Sequence, residues 1–127
     1  MRAGCPFCEP PGAQVFLQDG PCYAMWTGEL PLGSAMVLPH AHRTTVFELD
    51  EDEWAATQRL LRAVMDLVSA EHRPDGWNVG WNVHPVGGQS IPHAHCHVIP
   101  RYEDEPFAGR GLRWWFKSDA NRRGSSP

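Results

Sequence analysis

No stretch of this 127-residue chain approaches the roughly 20 consecutive apolar residues of a membrane span. Its first residues hold no hydrophobic leader, so we expect an intracellular, cytoplasmic protein with no membrane partner. Positive charge is in deficit: 11 Lys and Arg stand against 15 Asp and Glu, a formal net charge of −4. That balance removes the electrostatic basis for binding nucleic acid as a polymer. Cysteine is sparse, four in all, which in a cytoplasmic chain points to metal or packing and away from a disulfide framework. No internal repeat is visible. With 42% hydrophobic residues, a chain of this length is one small domain with a single core.

Charge is unevenly placed. Glu48, Asp50, Glu51, Asp52 and Glu53 form an acidic knot, while Arg110, Arg113, Lys117, Arg122 and Arg123 make the C-terminal end basic. The acids read as helix-start chemistry: Asp50 is a cap with Glu53 three residues on, and the first-turn carboxylates favour the dipole. The helix predicted here runs to about Glu71, with Trp54, Leu61, Val64, Met65 and Val68 at helical spacing, and Pro74-Asp75-Gly76 ends it. Before it, Val15–Leu17, Cys22–Trp26 and Ser34–Leu38 read as strands, the first two joined by an Asp19-Gly20 turn. After it, 77–83 reads as a fourth strand and 84–92 as a Gly/Pro loop. The expected layout is α+β, an antiparallel sheet with a helix packed on one face. The tail beyond Pro106 has no clear period, and Ser125-Ser126-Pro127 is expected to fray.

The most informative segment is Gln89-Ser90-Ile91-Pro92-His93-Ala94-His95-Cys96-His97-Val98-Ile99-Pro100. Apolar residues alternate with imidazoles, which predicts a strand carrying His93, His95 and His97 on one face, about 6.5–7 Å apart. Three nitrogen bases in a row suit a metal or a reacting phosphate. The run His93-Ala94-His95-Cys96-His97-Val98-Ile99 resembles the signature of the histidine-triad nucleotide hydrolase and transferase superfamily, His-φ-His-φ-His-φ-φ with φ apolar. The resemblance extends to Gly87-Gly88-Gln89-Ser90 and Asn82, then to Leu38-Pro39-His40-Ala41-His42 and Cys5-Pro6-Phe7-Cys8, over about residues 1–105.

That resemblance implies five antiparallel strands, one long and one short helix, and a two-fold dimer. Residues 1–110 would form the histidine-triad domain, and 111–127 an aromatic, then basic, partly disordered extension. His95 would be the nucleophile toward a nucleoside phosphate, and His97 would hold phosphate oxygens. Ser90 and Gln89 would serve the leaving group and phosphate, while Asn82 and the Gly87-Gly88 loop would add donors to the nucleotide. Imidazole suits covalent catalysis because a pKa near 6.5 leaves it largely unprotonated at neutral pH.

Cys5-x-x-Cys8 has the spacing of two thiolate ligands. Zinc-bearing members of the superfamily complete such a site with positions that match His42 and His93, giving a structural Zn²⁺ remote from the chemistry. His40 competes with His42 for that role; a redox dithiol and two plain buried thiols are the other readings. Cys22 and Cys96 read as core. The chain departs from the family at the ribose. Where many relatives carry an aspartate late in the second strand, this one has Ala24-Met25-Trp26-Thr27, with Glu29 the nearest carboxylate. Trp26 stacks on a base or packs in the core. Trp114-Trp115-Phe116 covers a neighbouring subunit's site or packs on the sheet. Two other classes stay open: a metalloenzyme in which the three histidines bind a catalytic metal, and a nucleotide-binding scaffold without turnover.

Overall fold

Asp50 begins the helix by accepting a hydrogen bond from Glu53 N, while the Glu53 side chain accepts from Asp50 N, closing the capping box. The computed structural model describes residues 2–124, and in it this helix, α1, spans Glu51–His72. It ends where Arg73 adopts a left-handed conformation, one residue ahead of Pro74. Its buried stripe is Glu53, Ala56, Thr57, Leu60, Val64 and Val68. Leu61 and Met65 pack at the stripe's edge, whereas Trp54 lies outside it and is 48% exposed, edge-on to Trp81.

The five strands are β1 (Val15–Asp19), β2 (Cys22–Trp26), β3 (Ala35–Pro39), β4 (Gly76–Trp81) and β5 (Cys96–Arg101). They form one antiparallel sheet in the order β1-β2-β3-β5-β4. No helix among the described residues is long and apolar enough to cross a membrane. The only helical pieces besides α1 among those residues are one-turn 3-10 segments, of which Val46–Glu48 lies just ahead of α1.

Strand alternation sorts the residues into two faces. Cys22, Ala24, Ala35, Val37, Cys96 and Val98 meet α1 in the main core, so both of these cysteines are packing residues as expected. Trp26 packs on this side, stacked on Phe16 at 3.7 Å between ring centroids. On the other face Tyr23, Met25, Met36 and Leu38 bury a second cluster with Cys5 and Phe7 of the N-terminal segment.

Two expectations need correction. β5 starts at Cys96, so only His97 of the three histidines lies in a strand. The lead-in bonds elsewhere: His93 N donates to Ile91 O, and Ala94 N donates to Arg43 O at 2.6 Å. β4 also stops at Trp81, two residues short of the expected end. Beyond β5, the segment through Phe116 folds in turns back over the end of β4 and β5, where Leu112 approaches Gly80. Ser125–Pro127 lie outside the described residues.

Candidate active site and metal centre

Arg43 ties the histidine segment to the helix start. Its Nε lies 3.0 and 3.1 Å from the two Glu53 carboxylate oxygens, its Nη2 reaches Asp50, and its carbonyl takes the Ala94 amide. Glu53 is only 2% exposed, a burial tolerable for a carboxylate because it is paired and capped.

Within this frame His95 is buried and its Nδ1 lies 2.8 Å from His93 O. A carbonyl only accepts, so Nδ1 carries the proton and Nε2 is left with the lone pair. The edge of Phe7 packs on the His95 ring at 4.9 Å, and the His97 ring lies 4.9 Å away on the other side. Burial holds both imidazoles below their ordinary pKa, opposed at His95 by the His93 carbonyl and at His97 by the charge of Glu29. Both are therefore neutral at pH 7, the state a nitrogen nucleophile requires.

His93 is turned to a different task. Its Nε2 donates to Pro39 O at 2.8 Å, which leaves Nδ1 unprotonated and 3.4 and 3.5 Å from the sulfurs of Cys5 and Cys8. His42 Nδ1 is 3.3 Å from Cys8 Sγ, and all four ligand atoms lie within 4.8 Å of one another. Bond lengths of about 2.3 Å to sulfur and about 2.0–2.1 Å to nitrogen put tetrahedral ligand atoms roughly 3.3–3.8 Å apart, so the group fits a metal ion. The carbonyl behind His93 is the outer-sphere partner that orients such a ligand. His40 is exposed and packs on the Tyr23 ring, outside the group. With both nitrogens of His93 engaged here, the three histidines do not converge on one shared ion.

The loop between β4 and β5 closes on itself. The amides of Gly87 and Gln89 donate to His84 O and that of Gly88 donates to Pro85 O, so the glycines do not present a row of free donors. Gly88 has φ +95°, and a side chain there would meet Asn82. Gln89 is buried: its Oε1 accepts from His84 N, and its Nε2 donates to Thr44 O and Ile91 O. Ser90 is exposed, as is Asn82, whose Nδ2 is 3.4 Å from Gly88 O. Thr27 Oγ1 donates to Ser34 O and accepts from Glu29 N, so it is spent within its own turn.

Sequence reasoning found His42, His93, His95 and His97. It missed Arg43, Glu53 and Phe7 as the groups that hold them. A buried carboxylate at the third position of α1 leaves no sequence signal beyond the capping box itself.

Residues 11–104 match the HIT domain family. The bis(5'-adenosyl)-triphosphatase of Saccharomyces cerevisiae is 32% identical over 93 residues, 71% of this chain and 45% of that protein. This chain thus spans less than half the length of that relative. The adenosine 5'-monophosphoramidase of Schizosaccharomyces pombe is 27% identical over 120 residues, covering 87% and 82%. A HIT family protein from Bacillus anthracis, 24% identical, superposes with a TM-score of 0.74 over 82% of this chain and 77% of that one, and so shares the fold. A matched segment that contains His42, both buried cores and the whole triad leaves one conclusion: the chain belongs to the HIT domain family.

Proposed function

We propose that this protein hydrolyses or transfers the nucleotidyl group of a nucleoside phosphate through a covalent intermediate on His95. The observation that carries this reading is the tautomer forced on His95 by the His93 carbonyl. In the proposed reaction Nε2 attacks the α-phosphorus and forms a P–N bond. The bond to the leaving group breaks, and that group departs with the electron pair and takes up a proton. Water then cleaves the P–N bond and restores His95, its second proton going to solvent. His97 neighbours the phosphate oxygens, Ser90 serves the leaving group and Asn82 the nucleotide, while Gln89 holds the loop that presents Ser90. Relatives named as a dinucleoside triphosphatase and a nucleoside monophosphoramidase support this class of substrate.

His95→Ala is expected to lower turnover of adenosine 5'-phosphoramidate and diadenosine triphosphate by about 10³-fold or more, because positioning alone remains. Mass spectrometry of quenched wild-type enzyme should find a nucleotidyl adduct on the peptide containing His95. Wild-type rates in the alanine variant would refute the assignment.

Cys5, Cys8, His42 and His93 would hold a structural Zn²⁺, a closed site whose chemistry is to cross-link the N-terminal segment, the β3–α1 connection and the triad segment. We also read the protein as a homodimer. β4 is an edge strand with Val79 39% exposed beside Trp54 and Trp81, and an unpaired apolar edge is a pairing surface. Light scattering should give twice the chain mass, and Val79→Lys should shift it toward the monomer.

A further inference from the structure

Beyond His97 the face of the sheet that carries it opens into a space the histidine chemistry does not use. A cleft of about 410 Å³ is lined by Gly80, Asn82 and His97, with Leu112 and Phe116 closing it. It shares Asn78, Ile99, Leu112 and Phe116 with a larger cavity of about 670 Å³. The added walls of that cavity are Leu30, Pro31, Phe107 and Trp115, so it is predominantly apolar. Residues 105–116 supply more than half of the lining, and they lie outside the segment that matches the family.

This segment is built, not merely draped. Arg101 spends all five of its N–H donors on it or beside it: two on Glu105, one on Asn78, and one each on the carbonyls of Phe107 and Arg110. The Arg110 guanidinium lies 4.6 Å over Phe107 and 4.3 Å over Trp114, and Phe107 meets Trp115 edge to face at 5.9 Å. Phe107, Trp115 and Phe116 remain half exposed or more, held apart instead of collapsing onto the sheet.

We propose that this chamber binds the base of the nucleotide substrate, an inference that rests on the triad acting at the phosphate. Its volume falls within the roughly 300–1,000 Å³ of small-molecule sites, and it is concave, unlike a surface for a second copy. Ile99 and Arg101 lie two and four residues along β5 from His97, about 7 and 13 Å away, a span suited to a ribose between phosphate and base. Aromatic walls stack on any base, and no free cation lines the chamber to favour a second phosphate, since Arg101 is fully paired and Arg110 lies on rings.

The test is equilibrium binding of AMP and of ribose 5-phosphate, which differ only in the base, to wild type, Trp115→Ala and Phe107→Ala. Calorimetry gives the affinities, and circular dichroism checks the fold of each variant. Wild type should bind AMP at least about tenfold more tightly than ribose 5-phosphate, and each variant should cut that ratio by about fivefold or more. Equal affinities in wild type, or a ratio retained in both variants, would overturn the proposal. A change of molecular mass by light scattering with the ratio intact would assign the chamber to contact between copies, and would also overturn it. Failure of the His95 chemistry leaves the binding ratio untouched, so the two readings fail separately.

Discussion

The two flanks of the histidine segment are built on the same face of the sheet but in opposite ways. On the N-terminal flank, Cys5, Phe7, Tyr23, Met25 and Met36 fill the space, and four ligand atoms from three distant parts of the chain converge. On the C-terminal flank, a guanidinium with every donor occupied props an aromatic shell open. One side is closed by ligands that satisfy one another across the sequence; the other is kept open by an anchor satisfied within its own neighbourhood. Rigidity at a reaction centre and access to it are thus assigned to different ends of the chain.

The sharpest way to break this contrast is to loosen the closed side. Cys8→Ser should lose about one zinc per chain, measured by elemental analysis, whereas His95→Ala and His97→Ala should keep it. The melting temperature should fall by roughly 10 °C or more, because metal binding contributes directly to folding. Metal lost from the triad variants and kept in Cys8→Ser would reverse the assignment of the two flanks.

Arg101→Ala acts on the open side. It strands the half-buried Glu105 carboxylate and two carbonyls, which should cost about 2–3 kcal/mol locally. Limited proteolysis should then cut between 105 and 117 well before the N-terminal flank opens. Equal protection of that segment in both proteins would show that the shell stands without its anchor.

The smallest effect concerns the ribose. Neither flank offers it a carboxylate in the family's register, and Thr27 Oγ1 is already bonded twice. Replacing a ribose substrate by its 2'-deoxy counterpart should therefore lower kcat/KM by about tenfold or less, since no charge-assisted hydrogen bond is lost. A hundredfold penalty would bring in Glu29, whose charge is felt at His97.

The closed flank was legible in the sequence because its information is local chemistry at fixed spacing. Cys5-x-x-Cys8 and the triad name their own ligands, and the offset of His42 separates it from His40. The strand limits near the triad were not legible. Alternation continues back to His93, but the backbone there bonds to Ile91 and Arg43, partners no periodicity encodes. Trp54 was misplaced for a related reason: at helical spacing it resembles a core residue, yet the stripe is centred on Ala56, Leu60 and Val64, and the tryptophan faces Trp81. The open flank gave no sign because Arg101 finds its acceptors among carbonyls, and every residue carries one of those.

The bond from Ala94 N to Arg43 O has a consequence for how the reactive nitrogen is located. Residue 94 lies between the first two histidines, and Arg43 is clamped to the capping box of α1. The nucleophile is therefore surveyed from the first turn of a helix and not from the sheet it stands beside. A helix cap is usually valued for the fraying it prevents. Here it is also a datum, the fixed mark from which the depth of a catalytic side chain is set.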